Sequence, residues 1–382
     1  MANIQAPIIP VVGQWLNQCP GAISLGQGVA FYGPPQQALQ RARLFGEPPD
    51  VHKYGPVQGQ PALLELLRAK LVAENAMDLR GREVLVTAGA NMAFLNALFA
   101  IADPGDEIIL PLPYYFNQEM AVRMVGCSPV LVPTDGEYQL ALPSIQAAIT
   151  PRTRAIVTVS PNNPSGAVYR PEDLAAVNAL CRQHGIYHLC DEAYENFVYG
   201  QASHYSPGSL ADTQGHTLSL YSLSKAYGFA SWRIGYMVVP QHLYPALLKV
   251  QDTNLICATR IAQEAAVGAL QVGSEYCRRH LPTLQQVRSQ VLDALQALQG
   301  CCRIPVTDGA FYLLLKVDTR MDAMTLAERL VREYGVAAIP GNAFGLRDGC
   351  YLRLSYGALQ PETAAEGVQR LVRGISRLAA EH

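Results

Sequence analysis

The sequence lacks a charge excess of either sign, since its 382 residues carry 29 Lys and Arg against 31 Asp and Glu, for a formal net charge of −2. Proteins that bind nucleic acid through its phosphates usually carry a basic excess, so this balance disfavours nucleic-acid binding. Hydrophobic residues make up 49% of the chain, which is typical of a folded globular protein. The length predicts two or three domains, or one large domain with a smaller companion.

Long hydrophobic runs without polar residues are also absent. The uncharged, mostly apolar stretch of residues 84–102 is about as long as a membrane span, but it contains Thr87, Gly89, Asn91 and Asn96, which the hydrocarbon core of a bilayer would not solvate. The first residues carry no cationic segment ahead of their apolar residues, as a secretory signal would. We therefore expect a cytoplasmic protein that neither spans nor binds a membrane.

Paired cysteine motifs are missing as well. The nine cysteines include no C-x-x-C pair, which indicates reduced thiols and no disulfide framework. His184 and His188 have a spacing seen in metal sites, but Gly185 interrupts the helix that they would need, and no H-E-x-x-H motif occurs. We predict no metal site.

Strand-length apolar runs alternate with helical periodicity up to about residue 270, which is typical of an α/β sheet. Apolar residues at helical spacing, with proline in the first turn, predict crossover helices over residues 61–76 and 171–184. The predicted strands span residues 83–88, 107–112, 128–133, 155–160, 185–190, 217–222 and 233–239.

The pattern changes after about residue 270, where long amphipathic helices alternate with two strands, over residues 281–298, 310–317, 325–334 and 350–355. The first 45 residues are rich in proline and glycine, lack a sustained period and are expected to run across the surface. We predict a large α/β domain over residues 46–270, with a mostly parallel central sheet flanked by helices. Residues 1–45 and 271–382 are expected to form a smaller α+β domain.

Polar segments follow four of the predicted strands, at the sheet edge where open α/β proteins place their functional residues. Each segment taken alone has a structural explanation, as a turn or a helix cap. The four segments are residues 89–91 (GAN), 161–166 (PNNPSG), 191–194 (DEAY) and 221–225 (YSLSK).

Lysine is scarce, and one of the five lysines occurs in such a segment. Lys70 and Lys249 fall in helical stretches and are expected to lie on solvated faces. Lys316 ends an apolar strand and is expected to extend its amine into solvent. Lys225 differs from these because it lies among serine, tyrosine and glycine at a strand exit.

The residues around Lys225 supply the parts of a Schiff-base enzyme. Such an enzyme needs a lysine amine, a phosphate site made of hydroxyls, backbone N–H groups and an arginine, and an acid that keeps a pyridine nitrogen protonated. Ser222 and Arg233 flank Lys225, and Gly89 precedes a predicted helix over residues 92–100 whose N-terminus favours an anion. Asp191 can serve as the acid.

These motifs together resemble the class I, fold-type I pyridoxal-phosphate aminotransferases, nearest to the glutamine/kynurenine and aspartate types, over residues 23–370. The resemblance implies the fold of that family, with pyridoxal 5′-phosphate as the cofactor. It rests on residues 87–91 (TAGAN), 163–166 (NPSG), 191–194 (DEAY), 222–225 (SLSK) and 231–236 (SWRIGY).

The resemblance also implies the roles of individual residues toward the cofactor. Lys225 would form the Schiff base and then act as the base that moves the substrate proton, with Asp191 on the pyridine nitrogen. Asn163 and Tyr194 would bind the ring hydroxyl, and Tyr115 would stack on the ring. The phosphate would be held by Ala90, Asn91, Ser222 and Arg233, with Tyr54 reaching the phosphate of the neighbouring subunit.

The contribution of Tyr54 implies a homodimer with shared active sites. Arg353 resembles the arginine that binds the substrate α-carboxylate, and Gly28 and Asn163 complete the implied substrate site. The implied reaction is transfer of an amino group from an L-amino acid to a 2-oxo acid with ping-pong kinetics. Catalytic function is thereby assigned to Lys225, Asp191 and Tyr194.

The substrate and the reaction type leave alternatives open. Ala30 and Phe31 replace the Pro-Asp of the glutamine/kynurenine type, and an apolar wall of Val29, Phe31 and Tyr32 favours neutral or aromatic amino acids. Arg260 is either a surface residue or a ligand for a distal carboxylate. The same fold also hosts C–S β-lyases and other pyridoxal-phosphate enzymes, and a non-catalytic regulator that binds the cofactor is a further alternative.

Overall fold

The computed structural model describes residues 4–47 and 49–381. In this part, the strands in chain order are β1 (Ile23–Ser24), β2 (Arg82–Thr87), β3 (Glu107–Leu112), β4 (Ser128–Pro133), β5 (Thr153–Val159), β6 (Tyr187–Asp191), β7 (Thr217–Ser222), β8 (Gly235–Pro240), β9 (Cys302–Arg303), β10 (Tyr312–Val317), β11 (Val336–Ala337), β12 (Ile339–Pro340) and β13 (Cys350–Ser355). The α-helices are α1 (Ile8–Gln18), α2 (Gln36–Arg43), α3 (Pro61–Asn75), α4 (Ala90–Ile101), α5 (Phe116–Met124), α6 (Leu142–Ala147), α7 (Pro171–His184), α8 (Leu223–Ala226), α9 (Tyr244–Asn254), α10 (Arg260–Val272), α11 (Glu275–Arg278), α12 (Leu281–Leu295), α13 (Ala323–Tyr334) and α14 (Pro361–Leu378). Short 3-10 helices span Pro49–His52, Pro207–Ser209, Gln241–Leu243, Gln296–Leu298, Gly341–Phe344 and Ala379–Glu381.

A seven-stranded sheet forms the centre of the molecule, with the strand order β2-β8-β7-β6-β5-β3-β4. The strands from β7 to β4 in this order pair in parallel, and only β8 runs antiparallel to its neighbours β2 and β7. The interior strands are buried and apolar, as in sheets that helices cover on both faces. The predicted fold class, a mostly parallel α/β sheet, is confirmed.

Strands β6 and β8 each begin two residues later than predicted, because of the backbone conformation ahead of them. Strand β6 starts at Tyr187 because Gly185, at φ 65°, ends helix α7 in the left-handed conformation. Strand β8 starts at Gly235 because Arg233 has a φ of 54°, which interrupts an extended chain.

One helix does not have the predicted connection. Helix α7 joins the parallel strands β5 and β6, as expected of a crossover helix. Helix α3 instead precedes β2, which lies at the edge of the sheet and pairs with β8. The prediction of a crossover over residues 61–76 was therefore right about the helix and wrong about its connection.

Two smaller sheets lie outside the central one. Strands β12, β13, β10 and β9 form an antiparallel sheet in that order, and β1 pairs in parallel with β11. The β1 to β11 pairing joins the N-terminal segment to the C-terminal part of the chain. The predicted domain boundaries stay predictions, and they include residues 1–3, 48 and 382, which lie outside the described residues.

The N-terminal segment contains two helices that the sequence pattern did not indicate. In α1 the buried residues Ile8 and Val12 are four apart and pack with residues of α13 such as Val331. Pro10 argued against a helix in the sequence pattern. It lies in the first turn of α1, however, where a proline is tolerated because backbone N–H groups have no intrahelical acceptor. Helix α2 packs so closely on α10 that a Cβ atom at Gly268 would lie 2.6 Å from the carbonyl oxygen of Gln37.

The helices carry no membrane-spanning signal. Among residues 4–47 and 49–381, none is both long enough and apolar enough to cross a bilayer.

Candidate active site

A cavity of about 130 Å³ lies at the carboxyl ends of β5, β6 and β7. The cavity contains nine of the ten predicted cofactor residues, all except Tyr54, and adds Val159, Ala193 and Ser224, which the sequence did not single out. A second cavity of about 250 Å³ has exposed cations in its wall, but none of the predicted site residues lines it. The residues lining the smaller cavity are Ala90, Asn91, Tyr115, Val159, Asn163, Asp191, Ala193, Tyr194, Ser222, Ser224, Lys225 and Arg233.

Lys225 is held in this cavity by the short helix α8. The Ser222 hydroxyl caps that helix by accepting a hydrogen bond from the Ser224 N–H group. The Lys225 amine donates a hydrogen bond of 2.5 Å to the carbonyl oxygen of Gly28. Burial, together with the positive charges of Arg353 and Arg233, lowers the pKa of Lys225 to about 8. An amine with a lowered pKa is a better nucleophile and base near neutral pH.

This lowered pKa predicts how the ligand-free protein reacts with an amine reagent. About half of the Lys225 amines should be neutral at pH 8, because half of any group is deprotonated at its pKa. The fraction of Lys225 labelled by acetic anhydride, measured by peptide mass spectrometry, should therefore rise with a midpoint near pH 8. The exposed Lys249 in the same digest reports on the reagent itself. A Lys225 midpoint near the ordinary value of 10.5 would contradict the expected environment.

Lys70 does not lie on a solvated face, which corrects the prediction made from its helical position. Its side chain is only 10% exposed, and its amine donates hydrogen bonds to Glu195 and to Asn75. The amine also lies 4.9 Å from the centre of the Tyr221 ring. Helical periodicity could not reveal this burial, because Glu195 and Tyr221 lie on other segments of the chain.

Asp191, the last residue of β6, points its carboxylate into the cavity. One carboxylate oxygen accepts a hydrogen bond of 2.7 Å from the Gln118 amide, and the other accepts one of 3.2 Å from the Ala193 N–H group. Burial raises the pKa of Asp191 to about 6. A protonated pyridine nitrogen next to this carboxylate would stabilise its ionised form.

Gln118 is a site residue that the sequence analysis missed. It lies three residues after Tyr115, and both side chains reach the cavity region from the start of α5. The spacing from Tyr115 was a usable signal, but nothing in the sequence showed that α5 would point toward the end of β6.

The end of the cavity where α4 begins offers hydrogen-bond donors and a cation for an anion such as a phosphate. The twelve-residue helix presents the N–H groups of its first turn there, next to Arg233 and to the hydroxyls of Ser222 and Ser224. The Arg233 guanidinium donates to the carbonyl oxygen of Ala230 at 2.9 Å and to that of Ala88, just before α4, at 3.4 Å. Glycine is favoured at position 89, because its φ of 81° strains other residues and a Cβ atom there would also displace Arg233 Nη2, 2.4 Å away.

Arg353, on β13, reaches the cavity region from the antiparallel sheet. Only 2% of the residue is exposed, and its guanidinium donates to Asn163 Oδ1 at 3.0 Å and to the carbonyl oxygen of Gly26 at 2.5 Å. The described part of the chain places no carboxylate in an ion pair with Arg353, and its Nε atom is buried without a hydrogen-bond partner. A buried, unpaired guanidinium is a natural site for a ligand carboxylate.

Tyr312 connects three of the predicted residues and was also missed. Its hydroxyl lies 2.5 Å from the Tyr194 hydroxyl, and the Arg353 guanidinium lies 4.6 Å from the centre of its ring. A Cβ atom at Gly28 would lie 2.2 Å from the Tyr312 hydroxyl, so only glycine fits at position 28. Burial raises the pKa of Tyr194 and of Tyr312, and raises the pKa of Tyr115 to about 12, so all three remain protonated donors.

The predicted apolar wall of Val29, Phe31 and Tyr32 does not line the cavity, which corrects that expectation. The Tyr32 ring stacks on His280 at 3.9 Å, and its hydroxyl donates to the carbonyl oxygen of Ala226 and to the sulfur of Cys277. The Phe31 ring meets both Tyr32 and His280 edge-on. These contacts fix residues 31–32 against the α11 to α12 region, and neither residue lines the cavity.

Comparisons with known proteins agree on the family of this chain. The family model described as "Aminotransferase class I and II" matches residues 20–371. The probable aspartate/prephenate aminotransferase of Aquifex aeolicus is 34% identical over 368 residues, covering 93% of this chain and 91% of that protein. The aromatic aminotransferase ISS1 of Arabidopsis thaliana is 34% identical over 382 residues, covering 97% and 94%.

Solved structures show the same similarity in three dimensions. The aspartate aminotransferase of Thermus thermophilus with maleate superposes with a TM-score of 0.89 at 31% identity, covering 97% of each chain. The aromatic aminotransferase of Pyrococcus horikoshii OT3 superposes with a TM-score of 0.87 at 30% identity, covering 96% of this chain and 99% of that one.

Proposed function

Since the chain belongs to the class I and II aminotransferase family, we propose here which of its residues carry out the transfer and which amino acids it prefers. The protein is a pyridoxal-phosphate-dependent aminotransferase, as the sequence resemblance predicted, with amino acids and 2-oxo acids as substrates. The observation that carries the residue assignment is the pair formed by Lys225 and Asp191 in one cavity, with the unpaired guanidinium of Arg353 bonded to the cavity residue Asn163.

The residues of the cavity fit each part of the cofactor. The phosphate would be held by the start of α4, at Ala90 and Asn91, together with Ser222 and Arg233. The buried carboxylate of Asp191 suits the pyridine nitrogen, because a cation beside it would offset the burial that raises its pKa. Asn163 and Tyr194 can hydrogen-bond the ring hydroxyl, and Tyr115 can cover the ring face.

The chain's own groups account for binding and proton transfer. When bound, pyridoxal phosphate supplies an aldehyde for the amino group and a ring that accepts the electrons of the Cα–H bond. Arg353 holds the substrate α-carboxylate, which fixes the Cα–H bond relative to Lys225. The Lys225 amine, with its lowered pKa, would take the proton from the substrate Cα and pass it to the carbon of the cofactor that carried the aldehyde. The buried hydroxyls of Tyr194 and Tyr312 hold the surrounding groups in place.

We infer that neutral and aromatic amino acids are preferred over aspartate. Among the described residues that line the cavity, the only cations are Lys225 and Arg233, and Arg353 lies next to it. All three have roles toward the cofactor or the α-carboxylate, so no cation of the same subunit remains for a side-chain carboxylate. The rings of Tyr115, Tyr312 and Phe344 give the region around Arg353 an aromatic character.

A half-reaction screen tests this preference. Single amino acids are added to the holoenzyme, and the absorbance of the bound cofactor is followed as it is converted. Phenylalanine, tyrosine and methionine should react at lower concentrations than aspartate and glutamate. Aspartate as the best substrate would contradict the inferred preference. Pyruvate and ammonia formed from cysteine conjugates without any oxo acid would indicate a C–S lyase.

The homodimer is also part of the proposal. Tyr54 lies outside the cavity of its own subunit and is 80% exposed, which suits a residue that reaches a neighbouring subunit. The exposed residues Leu44 and Ile261 offer further apolar surface. The cytoplasmic location stays a prediction.

A further inference from the structure

Arg260 does not contact the cavity of its own subunit but binds the segment that carries Tyr54. Its guanidinium Nη1 atom donates to the carbonyl oxygen of Asp50 at 2.6 Å and to that of Lys53 at 3.2 Å. Both acceptors are backbone atoms, so Arg260 fixes the backbone of residues 50–53 and does not bind a side chain there. Arg260 is the first residue of α10. This helix packs against α2 and α3, which fixes the position of the arginine backbone.

The aliphatic part of Arg260 packs against Gly55, the residue that follows Tyr54. A Cβ atom at Gly55 would lie 3.4 Å from both Cγ and Cδ of Arg260, so the glycine backbone lies close to the arginine stem. The residues immediately before and after Tyr54 therefore both contact Arg260. No hydrogen bond or ring contact of Tyr54 itself is found in residues 4–47 and 49–381, so its position depends on its neighbours.

The following part of the segment has separate attachments. Gln251 donates to the carbonyl oxygen of Val57, and Gln263 accepts a hydrogen bond of 2.8 Å from the Gln60 N–H group. Loss of Arg260 should therefore release residues 50–55 while residues 57–60 stay in place. This separation makes the effect of Arg260 measurable without unfolding the protein.

We propose that Arg260 is a positioning residue that fixes residues 50–55, so that Tyr54 can bind the cofactor phosphate in the partner subunit. The proposal rests on the homodimer with shared sites given above. Both backbone hydrogen bonds of Arg260 are made by Nη1, and its Nε atom is buried without a hydrogen-bond partner. Measurements of cofactor affinity and of KM for aspartate therefore have to distinguish the positioning role from the binding of a distal carboxylate.

The first test needs no catalysis. Hydrogen exchange of the cofactor-free protein should show faster exchange of residues 50–55 in Arg260→Ala, by about tenfold, with no change at residues 57–60. Arg278→Ala is the control. It removes a different arginine, whose side chain is 60% exposed, and should leave both regions unchanged. Equal exchange in Arg260→Ala and the parent protein would overturn the proposal.

The second test uses mixed dimers in which one subunit is inactivated by Lys225→Ala. Only the other subunit then has a working site, and the Tyr54 that serves this site comes from the inactivated subunit. Arg260→Ala in the inactivated subunit should weaken pyridoxal-phosphate binding at the working site about tenfold, as expected for about 1.4 kcal/mol of lost hydrogen bonding. The same change in the working subunit should leave the affinity unchanged.

The remaining outcomes separate this proposal from the shared site on which it rests. The opposite pattern in the mixed dimers, or a higher KM for aspartate alone with unchanged cofactor affinity, would overturn the positioning role. Tyr54→Phe in the inactivated subunit tests the shared site independently. If that variant has no effect on cofactor affinity, the shared site is wrong, whatever Arg260 does to the exchange of residues 50–55.

Discussion

Lys225→Ala is expected to lower kcat for amino transfer by at least about 10⁴-fold, because it removes the amine that is proposed both to bond the cofactor and to move the Cα proton. Lys225 makes one hydrogen bond through its side chain, to the carbonyl oxygen of Gly28, so the variant should fold. The measurement is kcat of the purified, cofactor-loaded variant beside the parent enzyme.

Lys249→Ala is the matched control for this prediction. Lys249 lies on α9 and is exposed, and its loss should leave kcat unchanged. Borohydride treatment of the parent enzyme should also fix the cofactor to the peptide that contains Lys225. A label on Lys70 or another lysine would show that the assignment of the catalytic amine is wrong.

Arg353→Ala is expected to lower kcat/KM for amino acids by about 10²–10⁴-fold, corresponding to about 3–5 kcal/mol for loss of a buried ion pair. The effect should fall mainly on KM, because the proposed contact of Arg353 with the α-carboxylate would form in the ground state as well as in the transition state. Steady-state kinetics with a preferred amino acid and a fixed 2-oxo acid gives both constants.

Two controls separate carboxylate binding from a structural role of Arg353. Arg353→Lys keeps the positive charge but cannot form two parallel hydrogen bonds with a carboxylate. Its kcat/KM should therefore lie between those of the parent and Arg353→Ala. A primary amine without a carboxylate should react equally slowly with the parent and with Arg353→Ala. If Arg353→Ala turns over amino acids as well as the parent, Arg353 does not bind the carboxylate. Loss of activity toward the amine as well would indicate that the cavity itself has changed.

Residues contributed by one strand and its following turn were predictable from sequence. The bounds of β3, β4 and β7 agree with the predicted strands, because each is a short apolar run bounded by polar or turn residues. Parallel strands end at one edge of the sheet, so the segments after β5, β6 and β7 had to meet. That rule brought Asn163, Asp191 and Lys225 into one cavity.

Residues contributed by distant segments were not predictable in the same way. Tyr312 lies in the antiparallel sheet and contacts Tyr194 across 118 residues of sequence. Within its own strand, Tyr312 has the pattern of an ordinary core tyrosine. The buried ion pair of Lys70 with Glu195 was hidden for the same reason, since the two residues are 125 apart.

The sequence by itself determined the α/β alternation and the reactive groups at the strand ends, because hydrophobic period and turn chemistry act over a few residues. Only the tertiary structure decided which arginine lies unpaired beside the cavity and which arginine holds the Tyr54 segment. Arg353 and Arg260 differ in what surrounds them, and those surroundings come from sheets and helices that are remote in the chain. Packing between remote elements fixes burial and hydrogen-bond partners, and these in turn set the pKa of each group and the ligand that it can bind.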